Sequence, residues 1–96
     1  MAGAAEVRVR AVVRGRVQRV GYRAFVMRHA TAAGLRGSVR NNADGTVEAV
    51  LQGARTQVDG VLAMLREGPP MARVEHVQVE ELLADDEPLP HMTMRG

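Results

Sequence analysis

Two kinds of hydrophobic period alternate along this chain, and their order predicts an α+β sandwich. Strand-like alternation runs over 6–14, 46–52 and 72–82, with a weaker strand over 35–41. Helical spacing runs over 22–33 and again over 55–67. The resulting order is β-α-β-β-α-β with a short closing strand. Right-handed crossovers then place both helices on one face of an antiparallel or mixed sheet.

Each element has its own justification. In 6–14, Val7, Val9, Ala11 and Val13 share one face, while Arg8, Arg10, Val12 and Arg14 share the other. Gly15 and Gly21 bound a loop over 15–21. From Tyr22, the residues Phe25, Val26, His29, Ala30 and Ala33 recur at helical spacing, and Gly34 supplies a stop. Asn42-Ala43-Asp44-Gly45 is a turn signal, so 35–41 and 46–52 form a hairpin with Val47, Ala49 and Leu51 inward. The second helix starts at Arg55 or Thr56 with a stripe of Val58, Val61, Leu62 and Leu65. Gly68-Pro69-Pro70 ends it. In 72–82, the phase of Val74 differs from that of Val77 and Val79, which predicts a bulge or bend. An acidic loop follows over 85–90. His91 to Arg95 reads as a closing strand with Met92 and Met94 inward. Two βαβ units split by a hairpin make a ferredoxin-like sandwich.

Length and composition bound the rest. With 96 residues, the chain is expected to be a single domain with residues 1–5 as an N-terminal tail. One Tyr and one Phe leave an aliphatic core. Zero Cys excludes disulfide scaffolds, thiol nucleophiles and Cys-based zinc sites. No apolar run approaches a membrane span, and the first residues lack the pattern of a secretory signal, so a cytoplasmic protein is expected. The net charge of +2 conceals an asymmetry. Residues 1–40 hold nine Arg against one acid, whereas 41–96 hold four Arg against ten acids. Every basic residue is Arg, whose planar fork suits phosphate. The first half is therefore built for an anion, either a nucleic acid or a small phosphate.

Two constellations bear on that choice. A strand, a glycine-bounded loop and a helix start can gather backbone N–H groups into an anion-binding concavity. Arg23 stands in the first helical turn, and Arg16 and Arg19 stand in the loop. The competing reading is a solvated loop. Asn41-Asn42 can be turn residues that bond their own backbone. Alternatively, the Asn41 amide, at a strand end beside the loop, can position a water by offering a donor and an acceptor. His29, His76 and His91 match no zinc spacing and are assigned structural or surface roles.

These segments resemble a known family. Val13-Arg14-Gly15-Arg16-Val17-Gln18-Arg19-Val20-Gly21-Tyr22-Arg23 is similar to the acylphosphatase signature, a strand leading into G-x-V-Q-G-V-x-F/Y-R. Gly37-Ser38-Val39-Arg40-Asn41-Asn42-Ala43-Asp44-Gly45-Thr46-Val47, with the later Gly53, resembles the second signature. The resemblance extends from Val7 to Arg95 and implies the ferredoxin-like fold reached above from pattern. It further implies hydrolysis of the carboxyl–phosphate bond of acyl phosphates to a carboxylate and inorganic phosphate. Arg23 matches the arginine that grips the phosphoryl group, and Asn41 matches the asparagine that orients the attacking water. Gly15, Arg16, Val17, Gln18, Arg19, Val20, Gly21 and Tyr22 match the substrate-binding loop. The resemblance implies no metal, no cofactor and no phosphoenzyme. The partners implied are a small acyl phosphate, with inorganic phosphate as product and inhibitor. No nucleic acid or membrane partner is expected, and the chain is expected to be a monomer.

Two residues depart from the family pattern. Arg19 stands where the family usually has Gly, inside the phosphate loop. Ser38 stands where an aromatic is usual, and is expected to loosen packing beside Asn41. The rival readings are non-catalytic: an RNA-binding or regulatory module of the same fold. RNA-recognition domains of this topology stack bases on sheet aromatics, whereas both aromatics here fall on the first helix.

Overall fold

A computed structural model describes residues 5–83 and 89–96 of the chain. Residues 1–4 of the expected tail, and residues 84–88, which include 85–88 of the expected acidic loop, lie outside the described residues. Strand β1 spans Glu6–Arg16, helix α1 Tyr22–Ala32, β2 Arg36–Asn41, β3 Val47–Ala54, α2 Arg55–Glu67, β4 Arg73–Leu82 and β5 Thr93–Arg95. The five strands form one mixed sheet in the order β4-β1-β3-β2-β5, with β5 parallel to β2 and the other pairs antiparallel. This is the ferredoxin-like architecture expected from the sequence.

Alternation decides which strand face meets the helices. Val9, Ala11 and Val13 of β1, Val39 of β2, and Val47, Ala49 and Leu51 of β3 are buried in one cluster. Tyr22, Val26 and Ala30 of α1 and Val58, Val61, Leu62 and Leu65 of α2 belong to the same cluster, and Phe25 of α1 is also buried. All four α2 positions belong to the stripe read from spacing. On α1, His29 is only half-buried, with its ring edge-on to Phe25 at a centroid distance of 4.5 Å.

The opposite sheet face absorbs much of the N-terminal arginine excess. Arg10 pairs with Glu48 at 3.5 Å and with Glu80 at 3.1 Å, and Arg40 reaches Glu48 at 3.4 Å. Arg8 donates from Nε to Gln52 Oε1 at 2.9 Å. The lopsided charge along the sequence is therefore partly cancelled in space, because β1 and β2 lie beside or near acid-bearing β3 and β4.

Three features differ from the sequence reading. The β1 strand continues to Arg16, so Gly15 and Arg16 are strand residues rather than loop residues. It continues because β4 runs beside it through a bulge: Arg14 pairs with His76 and Gly15 with Val74, leaving Glu75 as the extra residue. That irregularity is the one expected from the phase of Val74 and Val77. Met94, expected to point inward, is 45% exposed, and Val79 of β4 is 38% exposed, because β4 and β5 are the outer strands of the sheet. Finally, Ala5 is tied to the fold, its carbonyl accepting the Arg55 N–H at 2.9 Å.

Candidate active site

The loop over 17–21 links the end of β1 to the start of α1. Val17 is buried in the core, and Val20 packs against it. The Gln18 side chain donates from Nε2 to the carbonyls of Asn42 (2.8 Å) and Thr46 (2.9 Å), which ties the loop to the β2–β3 turn. Gly21 closes the loop at φ 78°, a left-handed conformation that glycine adopts without strain. The first helical bond then runs from Phe25 N–H to the Gly21 carbonyl at 3.0 Å. The N–H groups of Tyr22, Arg23 and Ala24 precede that bond, and no side chain caps the helix start. They point their donors, and the positive end of the helix dipole, at whatever lies beyond.

A pocket of about 160 Å³ lies there, lined by Val17, Arg19, Gly21, Tyr22, Arg23, Ala24, Asn41 and Met94. Two arginines and no acid line it. The Arg23 guanidinium donates from Nη1 to the Arg95 carbonyl at 2.6 Å. A guanidinium carries five N–H donors, so this bond orients the fork and leaves most of its donors for a ligand. Tyr22 is spent on packing. Its ring is buried and its hydroxyl donates to the Leu65 carbonyl at 2.7 Å. Burial also pushes its ionisation well above the usual tyrosine range.

The two neighbouring asparagines have separate fates. Asn42 serves the turn: its N–H donates to the Thr46 carbonyl at 2.8 Å and its side chain to Thr46 Oγ1 at 3.0 Å. Asp44 completes that turn by accepting from the Thr46 N–H (3.0 Å) and hydroxyl (2.7 Å), which lowers its carboxyl below the ordinary value. Asn41, the last residue of β2, lines the pocket instead. Its Oδ1 is buried and has no hydrogen-bond partner among the described residues. A buried polar atom left unpaired costs about 1–3 kcal/mol, so this acceptor awaits a donor.

The structure thus brings Val17, Arg19, Gly21, Tyr22, Arg23 and Asn41 to one pocket. It does not bring Gly15, which lines a different depression with Arg14, Asp44, Gly45, Thr46 and Glu75. Arg16, Gln18 and Val20 are not pocket-lining either. A wider depression of about 480 Å³ near Arg36 and His91 has no helix start lining it, and Arg36 already donates to the Leu89 carbonyl. Sequence reasoning missed Ala24, Met94 and Arg95. Ala24 could have been found as the third residue of the first helical turn. The last two are brought in by the parallel pairing of β5 with β2, for which no local pattern exists. Among the described residues, no group of three or more His, Asp or Glu converges as a metal site would require.

The acylphosphatase family model matches residues 9–88. The chain belongs to the acylphosphatase family. It is 52% identical over 75 residues to an acylphosphatase of Bradyrhizobium diazoefficiens, covering 78% of this chain and 76% of that one. It is 51% identical over 75 residues to one of Caldivirga maquilingensis, covering 77% and 79%. Its structure is similar to that of an acylphosphatase from Bacillus subtilis, with a TM-score of 0.83, 30% identity and coverage of 90% and 96%. The activity is accordingly that of an acylphosphatase, a hydrolase, and no described helix is long and apolar enough to cross a membrane.

Against the acylphosphatase pattern, the two departures fall in unlike places. Ser38 lies between Val50 and Thr93 on the outer sheet face, opposite to the face shared by Gly37, Val39 and Asn41. Its small side chain therefore does not sit beneath the Asn41 amide. Arg19 lies at the pocket itself and is the one non-glycine residue of positive φ, at 64°, among those described.

Proposed function

We propose that water attacks the phosphoryl group of an acyl phosphate directly, with Arg23 and the α1 N–H groups holding the phosphoryl and Asn41 holding the water. The observation that carries this reading is the convergence of an oriented guanidinium, an uncapped helix start and an unpartnered buried amide oxygen on one pocket. The water donates one hydrogen bond to Asn41 Oδ1. Its oxygen forms the new bond to phosphorus while the bond from phosphorus to the acyl oxygen breaks. The carboxylate leaves with that electron pair, and the water's proton passes to the phosphate oxygens of the substrate. A carboxylate is a good leaving group, so positioning and charge stabilisation carry the reaction. The reading uses no metal and no phosphoenzyme. The products are a carboxylate and inorganic phosphate, and the latter inhibits by occupying the same N–H groups. The loop serves through its backbone, since Val17, Gln18 and Tyr22 commit their side chains elsewhere.

Kinetics on benzoyl phosphate test this. Arg23→Ala is expected to lower kcat by about 10²–10³, as for removal of a donor from a preorganised anion site, and to weaken inhibition by inorganic phosphate. Asn41→Ala is expected to lower kcat strongly while phosphate inhibition stays nearly unchanged. Excess EDTA is expected to change neither. An Arg23→Ala enzyme retaining half its activity, or activity lost to EDTA and restored by a divalent cation, refutes the assignment.

A further inference from the structure

We infer that Arg19 is a specificity-determining residue that selects acyl phosphates whose acyl group carries a second anion. This rests on the reading of the pocket as the phosphoryl site.

Three observations converge on Arg19. Its backbone is held at φ 64°, a left-handed conformation that costs a non-glycine residue about 1–2 kcal/mol. Strain of this kind persists where the surrounding structure imposes it, and clusters at ligand sites. Second, Arg19 lines the same pocket as Arg23 and Asn41. Third, its side chain is exposed and makes no hydrogen bond or ion pair among the described residues, whereas Arg23 is half-buried and anchored to Arg95.

The two guanidiniums therefore have different tasks. Arg23 and the helix N–H groups meet the charge of the reacting phosphoryl. The acyl group must then leave the pocket past its rim, where Arg19 offers an unengaged fork. A carboxylate or phosphate on the acyl group satisfies that fork, and a neutral acyl group leaves it in water. Binding at an exposed site acts on affinity in ground state and transition state alike, so the effect belongs in KM.

The test compares benzoyl phosphate with 4-carboxybenzoyl phosphate, which differ by one carboxylate, on the wild type, Arg19→Gly and Arg19→Lys. The wild type is expected to favour the carboxylated substrate by about fivefold in kcat/KM at low salt, through KM, as for an exposed charge pair of good geometry. The preference is expected to vanish in Arg19→Gly, persist in Arg19→Lys, and shrink as salt shortens the screening length from about 8 Å toward about 3 Å. Glycine suits the backbone at this position, and a thermal melt verifies that the variant is folded. A phosphate-bearing acyl phosphate run alongside distinguishes the two kinds of second anion. Equal kcat/KM for neutral and anionic acyl groups in the wild type overturns the inference, as does a preference that survives Arg19→Gly. A fall of about a hundredfold in kcat on both substrates places Arg19 on the reacting phosphoryl instead, and overturns it too. Failure of the wild type to hydrolyse any of these substrates overturns the reading of the pocket itself, and this inference with it.

Discussion

Replacing Tyr22 by Phe removes one oxygen atom and isolates a buried carbonyl. Leu65 stands in the last turn of α2, where a carbonyl would normally accept from the N–H four residues on. That residue is Pro69, which has no N–H. The Tyr22 hydroxyl supplies the missing donor at 2.7 Å. Tyr22 is 1% exposed and Leu65 fully buried, so water does not easily replace it. An unsatisfied buried acceptor costs about 1–3 kcal/mol. Taking about 2 kcal/mol, and roughly 4–8 °C of Tm per kcal/mol for a chain of this size, Tyr22→Phe is expected to lower Tm by roughly 8–16 °C. The ring stays in place, so kcat of the folded variant on benzoyl phosphate is expected to hold. Thermal unfolding followed by far-UV circular dichroism measures the first quantity, and steady-state kinetics well below Tm the second. A drop smaller than about 2 °C means that the carbonyl finds another donor. A collapse of kcat at full stability means that the hydroxyl serves the pocket, and either result refutes the argument.

The same residue is the chain's one tyrosine, and there is no tryptophan, so its ionisation reads cleanly in ultraviolet absorbance. Folded protein is expected to show no phenolate at pH 10, the ordinary tyrosine value. The raised folded value means that stability is intact below about pH 10 and falls above it, by up to about 1.4 kcal/mol per pH unit, as the unfolded chain ionises. A reversible phenolate transition at that pH in folded protein contradicts this. Asp44 works in the opposite sense: its folded carboxyl titrates below the ordinary value, so its stabilising effect is present above that value and lost as pH falls through the lower one. Asp44→Asn is accordingly expected to lower Tm at neutral pH and to converge on wild type in acid, and an offset independent of pH rules out the charge as its cause. Gly37→Ala is expected to be severely destabilising, because Gly37 sits at φ 136° and an added Cβ collides with the Val50 carbonyl. A wild-type chemical denaturation midpoint in that variant sinks the claim.

What the sequence discloses here depends on whether a signal is local. The β1 alternation and the α2 stripe reveal their inward residues because each is a property of one element against one core. The bulge beside Gly15 was visible as a broken phase in β4, yet its consequence, the extension of β1 through Arg16, depends on pairing between residues far apart in sequence. The two asparagines were inseparable by spacing. Only the hairpin geometry assigns Asn42 to the turn and leaves the Asn41 amide oxygen unpartnered. The exposed placement of Met94 had no signal at all, since a short apolar pair near the end of a chain reads as inward whether or not its strand lies at a sheet edge.

The strand that receives the Arg23 guanidinium is also slight. It has three residues, all exposed, and meets β2 through three register pairs. Regions with little buried apolar surface open at free energies far below that of global unfolding. Peeling β5 away would release Arg23 from the Arg95 carbonyl while the core beneath α1 and α2 stayed intact. Hydrogen exchange should therefore separate two populations of amides, a fast set in β5 and a slow set in β1 and β3. Mild denaturant is then expected to abolish turnover before it melts the sheet, if the Arg23 fork holds the phosphoryl group as proposed, because that fork is anchored on this slight strand.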